Sequence, residues 1–269
     1  FKQKTAYEIR LSLVGSEMCI RDSAGHVALV TGGSRGLGKL MALTLARSGA
    51  KVGVNYFNNA AKAEATLAEL HAAGGAGVLA HGDVSTEEGV NSVCEKVAAE
   101  LGPIDILVVN ATPNQPMLPI EEYTWQHYQT MIDFFIKSPY LLTSAVLPHM
   151  KQKQWGRVIN IGSEVFARGV GNFSAYVSAK GGQAGFTRSM ATELAPFGIT
   201  VNLVAPGWIP VERHETDPKD MKDAYLNLIP MRHWGTPQDV ADAVLYFASE
   251  EAGFVTGQTI SVNGGMTLN

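Results

Sequence analysis

The sequence predicts an α/β fold: a doubly wound parallel sheet of about seven strands, with helices on both faces, in a single domain. Apolar strand-like runs alternate with amphipathic helical stretches, which is the pattern of a parallel sheet covered on both faces. A glycine-rich turn joins the first strand to the first helix. The stretch from residue 24 to residue 269 has a length that such folds reach as one domain.

The elements follow one another without an internal repeat or a linker. The predicted strands cover residues 27–31, 51–55, 77–81, 104–110, 156–161, 199–204 and 258–262. The first helix follows the glycine turn over residues 39–46, and further helical patterns cover residues 60–73, 87–101, 125–150, 174–195 and 237–249. The least regular stretch is 206–232, which holds four prolines. Such a stretch is typical of a lid over a site or of a variable surface loop.

Composition excludes several classes of function. The net charge of -4 and the pI near 6.0 give no indication of a nucleic-acid partner and disfavour adhesion to an anionic membrane. No apolar run reaches membrane-spanning length. Cys19 and Cys94 cannot build a disulfide framework, so we expect free thiols in a reducing compartment and a cytoplasmic protein. The histidines show no metal-binding spacing, and no metal is predicted.

Residues 1–23 differ from the rest of the chain. They lack clean periodicity and the apolar centre and cleavage site of a secretory signal. Their amino-acid sequence resembles translated sequencing-adapter read-through, which is found at the ends of metagenomic reading frames. We interpret this extension as an artefact of gene calling or a disordered segment, the alternative being a genuine targeting extension. A chain that starts near Ala24 is expected to keep full activity.

The glycine-rich turn runs Thr31-Gly32-Gly33-Ser34-Arg35-Gly36-Leu37-Gly38. Glycines let the backbone approach a pyrophosphate, and the free N–H groups at a helix start attract its charge. Between a strand and a helix, this turn predicts a Rossmann-type dinucleotide site. The alternative is a flexible connection without a ligand. The predicted contact residues are Gly32, Ser34, Arg35, Gly36, Leu37 and Gly38.

A second motif supplies chemistry. Tyr176 and Lys180 are four residues apart and share a helix face. Because an ammonium beside a phenol favours the phenolate, we expect Lys180 to lower the pKa of Tyr176 from about 10. Ser163, thirteen residues upstream, brings a hydroxyl that can hold a carbonyl oxygen against the phenol. A tyrosine and a lysine at this spacing are more often a solvated face, and it is the glycine turn that favours the catalytic interpretation.

Taken in order, these motifs resemble the short-chain dehydrogenase/reductase family, most closely its ketone- and 3-oxoacyl-reductase branch. The resemblance covers about residues 24–269. The matching segments are Thr31 to Gly38, Asp83-Val84, Asn110-Ala111, Ser163, Tyr176 to Lys180, Val201-Asn202, Pro206-Gly207, Thr256 to Gln258 and Val262 to Gly265.

The resemblance implies a mechanism. Hydride passes from NADPH to a carbonyl carbon, Tyr176 protonates the oxygen, Ser163 positions it, and Lys180 binds the nicotinamide ribose. Asp83 is implied to accept from the adenine amino group, with helix N-capping as its alternative role, and Val84 to pack on the ring. Residues 206–232 are implied to form a mobile flap over the substrate. Further cofactor contacts are implied for Asn110, Ala111, Pro206, Gly207 and Ile209.

The predicted cofactor is NADP(H). The second strand has no acid at its end to hold a ribose 2′-hydroxyl, whereas Arg35 in the glycine turn can bind a 2′-phosphate. Ser34 and Asn55 can add neutral hydrogen bonds. The alternative is an arginine that only decorates the loop. The expected partners are a small-molecule carbonyl or alcohol substrate and copies of the same chain, as a homotetramer or homodimer, with no nucleic acid and no membrane.

One departure from the family pattern bears on catalysis. Many relatives carry in the central helix an asparagine that anchors a proton-relay water, and Phe135 stands at that position. A phenylalanine cannot hydrogen-bond a water. A catalytically weak NADP-binding interaction or sensor protein is therefore the alternative function, and a carrier-bound 3-oxo ester is an alternative substrate. Several pocket roles stay open: Glu164 lines the pocket or faces water, Trp208 walls the substrate site or fills the flap core, and Arg213 and His214 meet an anion or are solvated.

Overall fold

A computed structural model of the chain describes Ser23 and residues 25–268. Its centre is a seven-stranded sheet in the order β3-β2-β1-β4-β5-β6-β7, and every neighbouring pair is parallel. The strands are β1 (Val27–Val30), β2 (Lys51–Tyr56), β3 (Ala76–His81), β4 (Ile106–Val109), β5 (Gly156–Ile161), β6 (Ile199–Pro206) and β7 (Thr259–Val262). This arrangement confirms the predicted doubly wound α/β fold.

Helices cover both faces of the sheet. The first face carries α1 (Gly36–Arg47), α2 (Ala60–Ala72) and α9 (Pro237–Ala248), and the second carries α3 (Glu87–Leu101), α5 (Ser138–Lys153) and α7 (Ser174–Leu194). The remaining helices are α4 (Trp125–Ile132), α6 (Val165–Arg168) and α8 (Lys219–Leu228). The four central strands β1, β4, β5 and β6 are buried along their whole length, because apolar side chains fill both interfaces.

Two segments differ from the sequence prediction. The predicted helix 125–150 is interrupted by a π-helical segment, Asp133–Lys137, that joins α4 to α5 and turns Phe135 inward. The stretch 206–232, predicted to be irregular, contains the ten-residue helix α8 and a short 3₁₀ turn at Glu212–His214. The other predicted bounds agree to within three residues. Residues 1–22, Ala24 and Asn269 lie outside the described residues, and so does the interpretation of the amino-terminal extension.

The winding of the chain creates a crevice. After β3 at one edge, the chain returns to place β4 on the other side of β1, so the loops that leave β1 and β4 diverge at the carboxyl edge of the sheet. Ligands of open α/β sheets bind at such a switch point. Within the described part of the chain, no helix is long and apolar enough to cross a membrane.

Candidate active site

The glycine turn lies at this switch point and has no room for side chains. Gly32 has a positive φ of 61°, which favours glycine. A Cβ built on Gly38 would lie 2.2 Å from the Gly32 carbonyl oxygen and 2.7 Å from the Asn110 side-chain nitrogen. The backbone of the turn therefore packs directly against the backbone at the start of α1. The free N–H groups of the first turn of α1 can then face an anion. This cradle fits a dinucleotide pyrophosphate.

Two asparagines brace the turn. The Asn110 Nδ2 donates to the Thr31 carbonyl at 2.9 Å, and the Asn110 backbone N–H donates to the Thr31 hydroxyl at 2.8 Å. Asn55 accepts from the Gly32 N–H at 3.1 Å and donates to the carbonyls of Ala80 and Gly82. The Asn55 amide is thus buried and engaged with the backbone, and its contact with the cofactor stays a prediction. Asn55 supports the site from behind.

Two predicted cofactor residues, Arg35 and Asp83, are an exposed cation and an acid with one oxygen engaged by Ser85. Arg35 is exposed on the turn, and the Ser34 carbonyl accepts from the Thr66 hydroxyl at 3.0 Å. One Asp83 oxygen, Oδ1, accepts from the N–H and the hydroxyl of Ser85. The cap of α3 is Thr86, so Asp83 does not fill the alternative capping role.

Two predicted cofactor side chains belong to the hydrophobic core. Val84 is buried in the cluster beneath β1, and Ile209 packs in the cluster under α1 and α9. Their side chains have little exposed surface, and the packing of Val84 on an adenine ring stays a prediction. Both residues still position the backbone of the loops that carry them. Pro206 ends β6, and the Gly207 N–H donates to the Val262 carbonyl at 2.9 Å.

Ser163, Tyr176 and Lys180 lie near one another at the end of the sheet, but their electrostatics differ from the prediction. Ser163, after β5, lies close enough to the Tyr176 phenol on α7 to lower the pKa of that phenol. Burial raises the pKa of Tyr176 to about 12, while Ser163 and the charge of Arg213 act in the opposite direction. The net lowering of the Tyr176 pKa that was expected is not found in the chain without a ligand, because burial of the phenol outweighs the opposing effects.

Lys180 lies behind the phenol. Its Nζ is 5.6 Å from the centre of the Tyr176 ring and donates to the Ile161 carbonyl at 2.6 Å. Burial holds the pKa of Lys180 well below its ordinary value. Phe135 packs edge-on against Tyr176, with ring centres 5.3 Å apart.

The flap closes over this group. Glu164, which follows Ser163, is 3% exposed and accepts from Arg168 at 2.9 Å and from the Tyr225 hydroxyl of α8. The Tyr225 hydroxyl also accepts from the backbone N–H of Trp208 at 2.6 Å. Of the two alternatives for Glu164, facing water is therefore excluded. Sequence reasoning missed Tyr225, since no local motif pairs it with a residue 61 positions away.

An aromatic cluster and a cation complete the flap. The rings of Trp208, Tyr225 and Trp234 lie 5.2 to 5.6 Å apart, so Trp208 fills the flap core. Burial and the adjacent Arg213 lower the pKa of His214, and the Arg213 Nε lies 3.0 Å from the His214 Nε2. Burial lowers the pKa of Arg213; the nearby Tyr176 acts to raise that pKa and the nearby Arg35 to lower it. Arg213 therefore lies near both ends of the predicted site.

No group of three or more histidine, cysteine, aspartate or glutamate side chains among the described residues can hold a metal ion. Of the two cysteines, Cys94 is a free thiol whose pKa burial raises to about 11, and Cys19 lies outside the described range. What the crevice offers is a phenol, a hydroxyl and an ammonium beside an anion cradle. That set suits proton transfer next to a bound dinucleotide.

Comparisons with known proteins agree with this geometry. Residues 32–267 match the family described as enoyl-(acyl carrier protein) reductase. The chain is 40% identical to the 3-oxoacyl-(acyl-carrier-protein) reductase FabG of Escherichia coli strain K12, over 91% of this chain and 98% of that protein. It is 38% identical to nodulation protein G of Azospirillum brasilense, over 89% of this chain and 97% of that protein.

Solved structures give the same result. A putative gluconate dehydrogenase from Agrobacterium tumefaciens superposes with a TM-score of 0.87 at 30% identity, over 92% of this chain and 98% of that one. A Serratia marcescens short-chain dehydrogenase/reductase mutant superposes with a TM-score of 0.85 at 30% identity, over 92% and 100%. Fold, motif order and sequence similarity lead to one conclusion: the chain belongs to the short-chain dehydrogenase/reductase family of oxidoreductases.

Proposed function

We propose that the protein is an NADP(H)-dependent reductase that transfers hydride between a nicotinamide and a carbonyl or secondary alcohol. The observation that carries the proposal is the position of the buried Lys180 ammonium 5.6 Å from the centre of the Tyr176 ring, with Ser163 acting on the same phenol, at the sheet edge that holds the glycine cradle. A protein that only binds NADP has no need of an aligned proton donor. The catalytic residues are therefore proposed to be Ser163, Tyr176 and Lys180.

Each proposed catalytic residue has a distinct task. Tyr176, with a pKa of about 12, holds its proton at neutral pH and donates it to the carbonyl oxygen during reduction. Ser163 donates a hydrogen bond to the same oxygen and aligns it with the phenol. Lys180 places a positive charge behind the ring, which stabilises the phenolate left after proton donation. The nicotinamide, when bound, supplies the hydride.

Charge around the cradle supports NADP(H) rather than NAD(H). Two guanidinium groups, Arg35 and Arg213, lie close enough to repel each other. A 2′-phosphate placed near Arg35 relieves this repulsion and gains charge-assisted hydrogen bonds. β2 ends Val54-Asn55-Tyr56 and carries no acid that would bind a ribose 2′-hydroxyl and repel the phosphate.

Two substrate classes deserve testing. The relatives named 3-oxoacyl reductases support a 3-oxoacyl thioester, whose ketone is the group to be reduced. The buried Glu164 beside Ser163 supports a second candidate, a small carbonyl compound with hydroxyl groups. Its Oε2 is buried without a hydrogen-bond partner among the described residues. An orphaned carboxylate oxygen gains most from a hydroxyl donor.

The test is a substrate panel. NADPH oxidation would be followed with 3-oxoacyl thioesters, simple ketones, diketones and hydroxylated ketones, with NADH in parallel. Turnover that is fastest with the thioesters supports the first candidate, and turnover that is fastest with hydroxylated ketones and is lost in Glu164→Gln supports the second. Tight NADPH binding without turnover on any compound would favour the binding-protein alternative. Assembly as a homotetramer or homodimer stays a prediction, which light scattering on the purified protein would check.

A further inference from the structure

The ammonium of Lys180 is enclosed on three sides by the chain itself. It donates to the Ile161 backbone carbonyl at 2.6 Å and to the Gln183 side-chain carbonyl at 2.9 Å. Its third neighbour is the ring of Phe135, whose centre is 3.8 Å from the Nζ. An ammonium has three N–H donors, and these three neighbours can engage all of them. Lys180 is thus held by protein groups before any ligand arrives.

The enclosure is dry and shared with the proton donor. Lys180, Phe135 and Gln183 are 4%, 2% and 1% exposed. Phe135 presents its face to the lysine and also packs against Tyr176, with ring planes at 70°. Its surroundings are apolar side chains of α4 and α7, including Met131. The one titratable group among the described residues with a recorded contact to this ammonium is the Tyr176 phenol.

Burial alone works against a charged lysine, since an ammonium loses hydration energy in an apolar pocket. A ring face and two carbonyl oxygens replace that hydration with fixed partners. A desolvated cation–π contact stabilises such a charge more strongly than an exposed one does. The π-helical segment Asp133–Lys137 matters because it is the local distortion that carries Phe135 into the site.

We propose that Phe135 and Gln183 are positioning residues that hold the Lys180 ammonium fixed and charged behind Tyr176. The proposal rests on the proposed function, in which Tyr176 donates the proton. In this arrangement the Lys180 ammonium is held by the Phe135 ring face and the Gln183 amide oxygen, in place of hydrogen-bonded water. The lysine then acts as a fixed charge that stabilises the phenolate.

Titration of Lys180 tests the proposal without turnover. In protein labelled with ¹³C at lysine Cε, the Lys180 resonance is identified by its loss in Lys180→Arg, and its midpoint is followed with pH. In Phe135→Leu and in Gln183→Leu, the acid dissociation constant of Lys180 should rise about tenfold, since each change removes one partner of the charge. Gln183→Glu keeps an acceptor and adds a negative charge beside the ammonium, so it should move the midpoint to higher pH.

A matched control separates this effect from general core damage. Phe247→Leu removes a fully buried ring from α9, on the opposite face of the sheet, and should leave the Lys180 midpoint unchanged. Equal midpoints in wild type, Phe135→Leu and Gln183→Leu would overturn the proposal. Should Phe135→Leu fail to fold, the pair Gln183→Leu and Gln183→Glu decides the question, since opposite shifts are expected and identical ones refute it.

Turnover gives a second readout. With a substrate from the panel, kcat of Phe135→Asn should fall about tenfold, because an amide replaces the ring face on the ammonium. A Phe135→Asn enzyme as fast as wild type, with an unchanged Lys180 titration, would contradict the role of the ring. Absence of turnover in wild type would instead count against the proposed function and would leave the titration result standing by itself.

Discussion

Replacing Gly38 by alanine tests the cradle at its tightest point. The added Cβ would lie 2.2 Å from the Gly32 carbonyl oxygen, whereas real Cβ contacts essentially never fall below 3.0 Å. The turn must therefore open by about 0.8 Å, the difference between those two distances, and neither backbone segment is a flexible side chain. Overpacking of this kind costs about 1–3 kcal/mol. The opened turn no longer matches the pyrophosphate. If the whole strain energy is lost from binding, NADPH affinity falls roughly fivefold to 150-fold.

Calorimetric titration of NADPH would measure the loss, with urea unfolding on the same samples. Gly185→Ala is the matched control, since a Cβ there meets no atom within 4 Å and the residue lies within a helix, α7. It should bind NADPH as wild type does and unfold at slightly higher urea, because alanine favours helix more than glycine by about 1 kcal/mol. A Gly38→Ala protein that binds NADPH within twofold of wild type would refute the packing argument.

Three further predictions concern charge and the flap. Arg35→Ala should weaken NADPH far more than NADH in paired calorimetric titrations, and equal losses would contradict the 2′-phosphate assignment. Asp105→Asn should lower the free energy of unfolding by about 2 kcal/mol at pH 7, because the buried Asp105 carboxylate accepts from Lys153 at 2.7 Å and His149 at 2.9 Å. These contacts hold the pKa of Asp105 well below its usual range. The ionised Asp105 carboxylate therefore adds to the free energy of unfolding above about pH 4, its pKa in the unfolded chain, and this contribution is lost as the pH falls below that value. The urea unfolding curves of wild type and Asp105→Asn should converge in acid. Tyr225→Phe removes the hydroxyl that joins α8 to Glu164, and amide exchange across residues 219–228 should become faster; unchanged exchange would show that the aromatic cluster alone holds the flap.

The sheet and the position of the crevice could be predicted from sequence because both depend on local patterns. Apolar runs that alternate with helical stretches specify a parallel sheet, and the order of the strands places the ends of β1 and β4 side by side. Tyr176 and Lys180 met expectation for the same reason, since four residues of helix bring them together. Residue spacing carries this information directly.

What escaped prediction depends on packing between distant segments. The hydrogen bonds of the Asn55 amide to backbone groups of β3 and the turn were not foreseen, because no local pattern reveals them. The pKa of Tyr176 depends on how deeply the surrounding segments bury the phenol, and spacing in the sequence does not report burial. The π-helical segment that aims Phe135 at Lys180 likewise has no sequence signature that we recognised.

The central claim is that Tyr176 is the proton donor of a carbonyl reductase, and one comparison tests it most directly. Wild type and Tyr176→Phe would be compared for NADPH oxidation on the best substrate of the panel and for NADPH affinity by calorimetry. We predict that kcat falls by about 10² to 10⁴-fold while NADPH affinity stays within a few-fold of wild type, because the lost hydroxyl acts on the substrate oxygen. Undiminished turnover in Tyr176→Phe would contradict the claim and assign the proton to another residue.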